Sequence, residues 1–353
     1  MQKALTFSDV SIIPRYSEIG TRRGIETGGE IDLTSDFGPF KLRLPVFAAN
    51  MKSICGPKMA IAMRLSGGMG ILHRFCSNED AVQDFLEVVE CGELKSFEEN
   101  VWNVGVSVGV QAEDKVRFNA LYDAGARIFC IDIAHGHSKM MKDMIKFVKT
   151  YDGVYIIAGN IATGEGASDL IEWGANCVKV GIGPGAACET RKNTGVGVPQ
   201  LTACEWVHNA VVRASNGRNI KIIADGGIRV SGDIPKALKY VDAVMVGSFI
   251  AGTEETPGAV FRDDNGDDYK VYQGSASGEN KVSNGKPNEY VEGISLKVKF
   301  RNHVKYILSE GGTSIREGLQ SSFSYVGART LPEFKMNCDF MEMSSGGKRE
   351  SKL

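Results

Sequence analysis

A chain of 353 residues, 42% hydrophobic and 24% charged, has the make-up of an ordinary globular protein with ample core. Its formal net charge of −2 leaves no electrostatic footprint for nucleic acid, and no apolar run is long enough to span a membrane, so an anionic ligand must be met by local groups. The eight cysteines show neither CxxC pairing nor metal-ligand spacing, which together with the lack of a signal peptide points to free thiols in a reducing compartment.

Short apolar runs recur at 44–49, 69–72, 104–108, 128–133, 154–158, 177–180, 220–224 and 243–246. Between them, 77–89, 112–123, 138–149 and 163–173 carry apolar residues at helical spacing. Strands alternating with helices predict parallel β/α units. Eight such strands, ending in Gly, Asp, Asn or His, predict a single-domain (β/α)8 barrel of α/β class rather than an open sheet. Residues 1–43 read as an N-terminal extension, 253–295 as a flap-like insertion after the eighth strand, and 334–353 as a C-terminal tail. Trp102 and Trp173 read as packing residues.

Chemistry in this fold gathers at the C-terminal ends of the strands. After the fourth strand come Asp132, His135, His137 and Ser138. Two histidines two residues apart, without a third ligand, predict a cofactor contact or a hydrogen-bond network rather than zinc. The sixth strand opens KVGIGPGAACETRKNTGVGVPQ (179–200), whose glycines allow positive φ and close approach of the backbone to a ligand. Cys188 lies in this loop with Arg191 and Lys192 nearby, which makes it a candidate nucleophile; composition alone equally allows an incidental small residue in a surface loop. The seventh strand ends in Asp225-Gly226-Gly227 and the eighth in Gly247-Ser248. Either pair alone could simply turn the chain. Together, at the two positions where barrels hold phosphate, they favour a phosphate-bearing ligand, with Asp225 suited to ribose hydroxyls.

These motifs, with LTFSDV (5–10) and Pro14, PVFAANM (45–51), GGMGILHR (67–74), Ala158-Gly159-Asn160, Gly274 to Ser277 and SSFSYVG (321–327), extend over essentially the whole chain. The chain resembles the inosine monophosphate dehydrogenase and guanosine monophosphate reductase family, and GIGPG followed by Cys and Thr is the most specific part of the match. The cysteine loop resembles the reductase version. About two dozen residues separate Ser77 from Val101, so the paired CBS module usual in dehydrogenases is lacking. Where dehydrogenases carry a flap Arg-Tyr pair that activates water, this chain reads Asn288-Glu289-Tyr290-Val291-Glu292-Gly293, and its Arg-Tyr pair, Arg15-Tyr16, lies near the N-terminus.

The resemblance implies reductive deamination of GMP to IMP and ammonia with NADPH. Cys188 would add to purine C2, and Thr190 and Glu292 would form the proton relay. The alternatives are an IMP dehydrogenase using NAD and a catalytically silent purine-nucleotide-binding protein. The implied substrate contacts are Asp225, Gly226, Gly227, Gly247, Ser248, Gly274, Ser275, Ala276 and Gly293. The implied cofactor contacts are Arg74, Asp132, Ile133, Ala134, Ile182 and Gly183, with Ser321, Ser322, Phe323 and Ser324 from a neighbouring subunit of a homotetramer. Carbonyls of Gly183, Gly185, Cys188 and Arg191 would hold K+. Two residues depart from the family pattern: Glu189, a carboxylate beside the nucleophile that should oppose thiolate formation unless offset by Arg191 and Lys192, and Lys52, where relatives carry an acidic residue. The chain ends Ser351-Lys352-Leu353, the form of a peroxisomal import signal, which predicts recognition by an import receptor and a peroxisome or glycosome location, with the cytoplasm as the alternative.

Overall fold

Strands buried on both faces are predominantly apolar, and the eight runs form such strands: β1 (Val46–Ala48), β2 (Met69–Leu72), β3 (Val104–Val108), β4 (Ile128–Asp132), β5 (Tyr155–Ile161), β6 (Cys177–Val180), β7 (Lys221–Asp225) and β8 (Ala243–Val246). In the computed structural model, which describes residues 3–94, 103–283 and 291–351, they pair in parallel in chain order and close into a barrel through β8 and β1, with Val244 opposite Val46. Trp102, the flap residues Asn288, Glu289 and Tyr290, and Lys352 and Leu353 lie outside the described residues. The sequence reading ended the fifth strand at Ala158, whereas β5 continues to Ile161 across a register shift at Gly159–Ile161.

Helices α1 (Pro57–Leu65), α2 (Asn78–Val89), α3 (Ala112–Asp123), α4 (Lys139–Val148), α5 (Gly164–Trp173), α6 (Gln200–Ala214) and α7 (Asp233–Leu238) connect successive strands. Side-chain caps set several starting points: Ser77 accepts from the Asp80 N–H at 3.0 Å and Thr163 from the Gly166 N–H at 3.2 Å. Helix α5 stops at Gly174, whose φ of 119° a side chain would resist.

The two ends of the barrel differ in chemistry. At the N-terminal end, Phe37 and Phe40 stack at 5.0 Å, Phe37 meets Phe47 edge-on at 5.5 Å and Phe40 meets Tyr155 at 5.3 Å, making an apolar plug. The C-terminal end carries the polar loops. After β8, strands Phe261–Arg262, Asp268–Gln273 and Ser295–Lys299 form an antiparallel sheet in which Gln273 faces Ser295, so both stems of the flap-like insertion return to one place. The Lys270 ammonium ties this sheet to the loop after β8 by donating to the carbonyls of Thr253 (2.9 Å), Glu254 (3.1 Å) and Thr256 (2.7 Å).

The segment expected as a tail includes a strand, Phe340–Glu342, paired antiparallel with Val10–Ile12, and a helix, Ser345–Glu350, whose Lys348 pairs with Asp9. Burial raises the Asp9 carboxyl, but Lys348 and the Thr6 N–H and hydroxyl, both at 2.7 Å, outweigh it and hold its pKa at about 2. A depressed carboxyl pKa stabilises the fold above the ordinary value of 3.8 and loses that contribution as pH falls through about 2. Asp9→Asn should therefore lower Tm by about 2–4 °C at pH 7 and converge with the native protein as the pH approaches 2. Equal melting temperatures at pH 7 would show that this clasp contributes nothing.

Candidate active site

A cavity of about 660 Å³ opens at the C-terminal end of the barrel. Its reactive wall is the loop after β6. Gly181 (φ 150°) and Gly183 (φ 88°) take backbone conformations that favour glycine, and a Cβ at Gly181 would meet the Asp225 carbonyl at 2.1 Å. Next comes a short helix, Thr190–Thr194, which the sequence reading did not foresee; it ends at Gly195 with φ 73°.

Backbone pairing brings the flap onto this loop. The Glu189 N–H donates to the Glu292 carbonyl at 2.8 Å, the Ile294 N–H to Ala187 at 3.0 Å, and Cys188 bridges to Gly293. This places three side chains in a line. The Thr190 hydroxyl donates to Glu292 Oε2 at 2.8 Å, and Cys188 Sγ lies 3.2 Å from Thr190 Oγ1. A hydroxyl has one proton, so with that proton on Glu292 the thiol is the donor to Thr190. The line thus offers a path for the thiol proton towards the carboxylate, the arrangement an activated nucleophile needs.

All eight cysteines are free; Cys188, half-buried like Cys76 and Cys91, is the cysteine that lines the cavity, whereas Cys55, Cys130, Cys177, Cys204 and Cys338 are buried in the fold. Lys192 engages the Glu189 carboxylate at 2.8 Å. The Arg191 side chain donates to the Val198 carbonyl and passes between Gly183 and Gly197, where a Cβ at either would come within 2.6 Å of its Cγ.

All the sequence-predicted substrate residues line the cavity, as do Arg74, Asp132, Ile133, Ala134, Ile182 and Gly183. Gly226 (φ 87°) and Gly227 (φ 82°) turn the chain directly after Asp225. Ser321–Ser324 do not line it: they lie on α8 (Ile315–Tyr325), where the Phe323 ring is buried and stacks on Phe334 at 4.4 Å, and Ser321 accepts from Arg22 at 3.1 Å. His137 is engaged by Asp169 at 2.8 Å, and no cluster of three or more metal-ligating side chains occurs among the described residues. Lys52 does not line the cavity but sits near His73, whose pKa is pushed down to about 4 by burial, with Lys52 and Arg117 adding to it.

Four polar residues escaped assignment from the sequence. Lys179, fully buried on β6, bonds Asp132 at 2.8 Å and Asp225 at 2.6 Å. Asn160 donates to Asp225 at 2.9 Å and Asn50 to Asp132 at 3.0 Å. Burial opposes the charged forms, yet the mutual attraction wins, holding Lys179 up and Asp132 down. Tyr272, on Asp268–Gln273, lines the cavity with its hydroxyl beside Gly247 and donating to Met51 Sδ at 3.7 Å, and burial, then Asp225 and Cys188, raise its pKa. The one sequence signal was a lysine inside the otherwise apolar CVKV run.

Fold and cavity together define a barrel enzyme site built around a thiol. Residues 4–353 match the IMP dehydrogenase / GMP reductase domain family. The IMP dehydrogenase of Borreliella burgdorferi is 36% identical over 405 positions, covering 99% of this chain and 96% of that protein. The GMP reductase of Leptothrix cholodnii is 36% identical over 335 positions, covering 93% of each. Among solved structures, a GMP reductase variant from Trypanosoma brucei in complex with guanosine 5'-monophosphate superposes with a TM-score of 0.89 at 29% identity, covering 99% of this chain and 98% of that one. The chain belongs to the IMP dehydrogenase / GMP reductase family, oxidoreductases that use a nicotinamide cofactor.

Because Lys192 already engages Glu189, Glu189→Gln should change the rate of Cys188 alkylation by iodoacetamide at pH 7 by less than about fivefold. Peptide mass spectrometry would resolve Cys188 from the other thiols, and a larger acceleration would show that Glu189 suppresses the thiolate.

Proposed function

We propose that this protein is a GMP reductase, converting GMP to IMP and ammonia at the expense of NADPH. The observation that carries the reading is the hydrogen-bonded line from Cys188 through Thr190 to Glu292, combined with a flap sequence that has Glu292 but no Arg-Tyr pair for activating water. The 36% identity to a dehydrogenase keeps oxidation of IMP as the second reading.

The chemistry follows from the residues. Cys188 gives its proton along Thr190 towards Glu292, and the thiolate adds to purine C2, making a C–S bond. Glu292 returns that proton through Thr190 to the departing 2-amino group, so the C–N bond breaks with loss of ammonia and leaves a neutral thioimidate on Cys188. Bound NADPH supplies a hydride to C2. Collapse of the resulting adduct expels Cys188 as thiolate and releases IMP. Gly226, Gly227, Gly247 and Ser248 suit the phosphate, and Asp225 suits the ribose.

The residues also fit the cofactor. Arg74 lines the cavity, as does Asp132, and its buried Nε has no hydrogen-bond partner, so a cationic donor remains for an anionic ligand there. For a monovalent cation such as K+, the Gly185 and Arg191 carbonyls each accept one backbone N–H, from Cys188 and Gly195, leaving each a second lone pair. A homotetramer and receptor recognition of Ser351-Lys352-Leu353 complete the reading.

Cys188→Ala should lower GMP-dependent NADPH oxidation by roughly a thousandfold or more while GMP still binds in titration calorimetry. Glu292→Gln should slow ammonia release by about 10²-fold or more, yet leave hydride transfer less affected in single-turnover experiments. A loss of less than about a hundredfold in Cys188→Ala would remove the covalent step, and equal slowing of both steps in Glu292→Gln would remove the relay.

A further inference from the structure

The GMP reductase reading gives the cavity a nucleotide half and a cofactor half, and one buried ammonium touches a carboxylate assigned to each. Asp132 at the end of β4 lies beside Ile133 and Ala134, while Asp225 at the end of β7 leads into the Gly226-Gly227 turn. Lys179 projects between them from β6, 2.8 Å from Asp132 Oδ1 and 2.6 Å from Asp225 Oδ2.

The surroundings leave this cation little freedom. Its side chain is 2% exposed, so water cannot replace either carboxylate. The neighbouring strand makes room for it with Gly159, where a Cβ would come within 2.7 Å of Lys179's own Cβ. Asn50 holds the other oxygen of Asp132, and Asn160 shares Oδ2 of Asp225 with Lys179. Asp225 Oδ1 therefore remains for a ribose hydroxyl. An ion triad of this kind is expensive to bury and contributes little to stability by itself, so its place at the junction of two ligand sites needs another reason.

We propose that Lys179 is a positioning residue that couples the nucleotide half of the site to the cofactor half, by dividing one ammonium between Asp225 and Asp132. The proposal takes its ligand identities from the GMP reductase reading. A ligand that draws on Asp132 alters how firmly Lys179 holds Asp225, and the converse holds equally, because such coupling is reciprocal. Loss of the Asp132 charge turns the ammonium wholly onto Asp225, which then accepts hydroxyl hydrogen bonds less well.

The test measures GMP affinity by titration calorimetry with no cofactor present. Asp132→Asn, which makes no contact with GMP in this account, should weaken GMP binding about fivefold or more. In a Lys179→Met background the same substitution should change GMP affinity less than about twofold. If Lys179→Met does not fold, Lys179→Gln, uncharged but still a donor, takes its place. As the reciprocal measurement, Asp225→Asn should weaken binding of NADP+ alone. Unchanged GMP affinity in Asp132→Asn would overturn the proposal, as would an undiminished effect of that substitution without the Lys179 charge. Failure of the native protein to bind either GMP or IMP would instead overturn the purine-nucleotide reading on which it rests.

Discussion

One piece of backbone pairing assembles the site, the contact of the flap's returning stem with the cysteine loop. Glu292 is 102 residues from Thr190 in the chain, and closing so long a loop is entropically costly unless rigid elements bring the ends together. Here the stems pair through Gln273 and Ser295, and Lys270 fastens their sheet to the loop after β8. The Glu189 N–H then reaches the Glu292 carbonyl at 2.8 Å, so the carboxylate arrives within bonding distance of the hydroxyl beside the thiol. Anything that loosens this pairing separates nucleophile from proton relay while leaving the barrel intact.

Beneath that wall the barrel divides its interior by chemistry. Its N-terminal end is closed by stacked aromatic rings, whereas the end carrying the site holds Asp132, Lys179 and Asp225 in contact, with Asn50 on the other oxygen of Asp132 and Asn160 sharing the Asp225 oxygen that Lys179 binds. Buried charges are tolerated only when each is paired and hydrogen-bonded. The apolar plug and the predominantly apolar strands supply the stability against which this polar layer is maintained.

The barrel was legible in the sequence because parallel strands buried on both faces leave uninterrupted apolar runs, and the glycine-rich loop stood out because positive φ demands glycine. Cys188 was legible from its glycine-rich loop and cationic neighbours, and Thr190 and Glu292 through the resemblance. Local pattern could not reveal contacts made across the barrel. Lys179 sits in a run like any other strand, and nothing near it shows that Asp132, 47 positions earlier, and Asp225, 46 later, converge on it. Tyr272 was hidden for the same reason. The Glu189–Lys192 pair depended on the short helix at Thr190, and the inward face of Phe323 on how α8 packs.

The most direct test of the account is the reaction itself, followed at the reduced-nicotinamide absorbance band in K+ buffer with ammonia assayed in parallel. With GMP and NADPH, the account predicts one NADPH consumed for each ammonia released and IMP as product. Formation of NADH from IMP and NAD+, without ammonia release from GMP, would contradict it and make the protein a dehydrogenase.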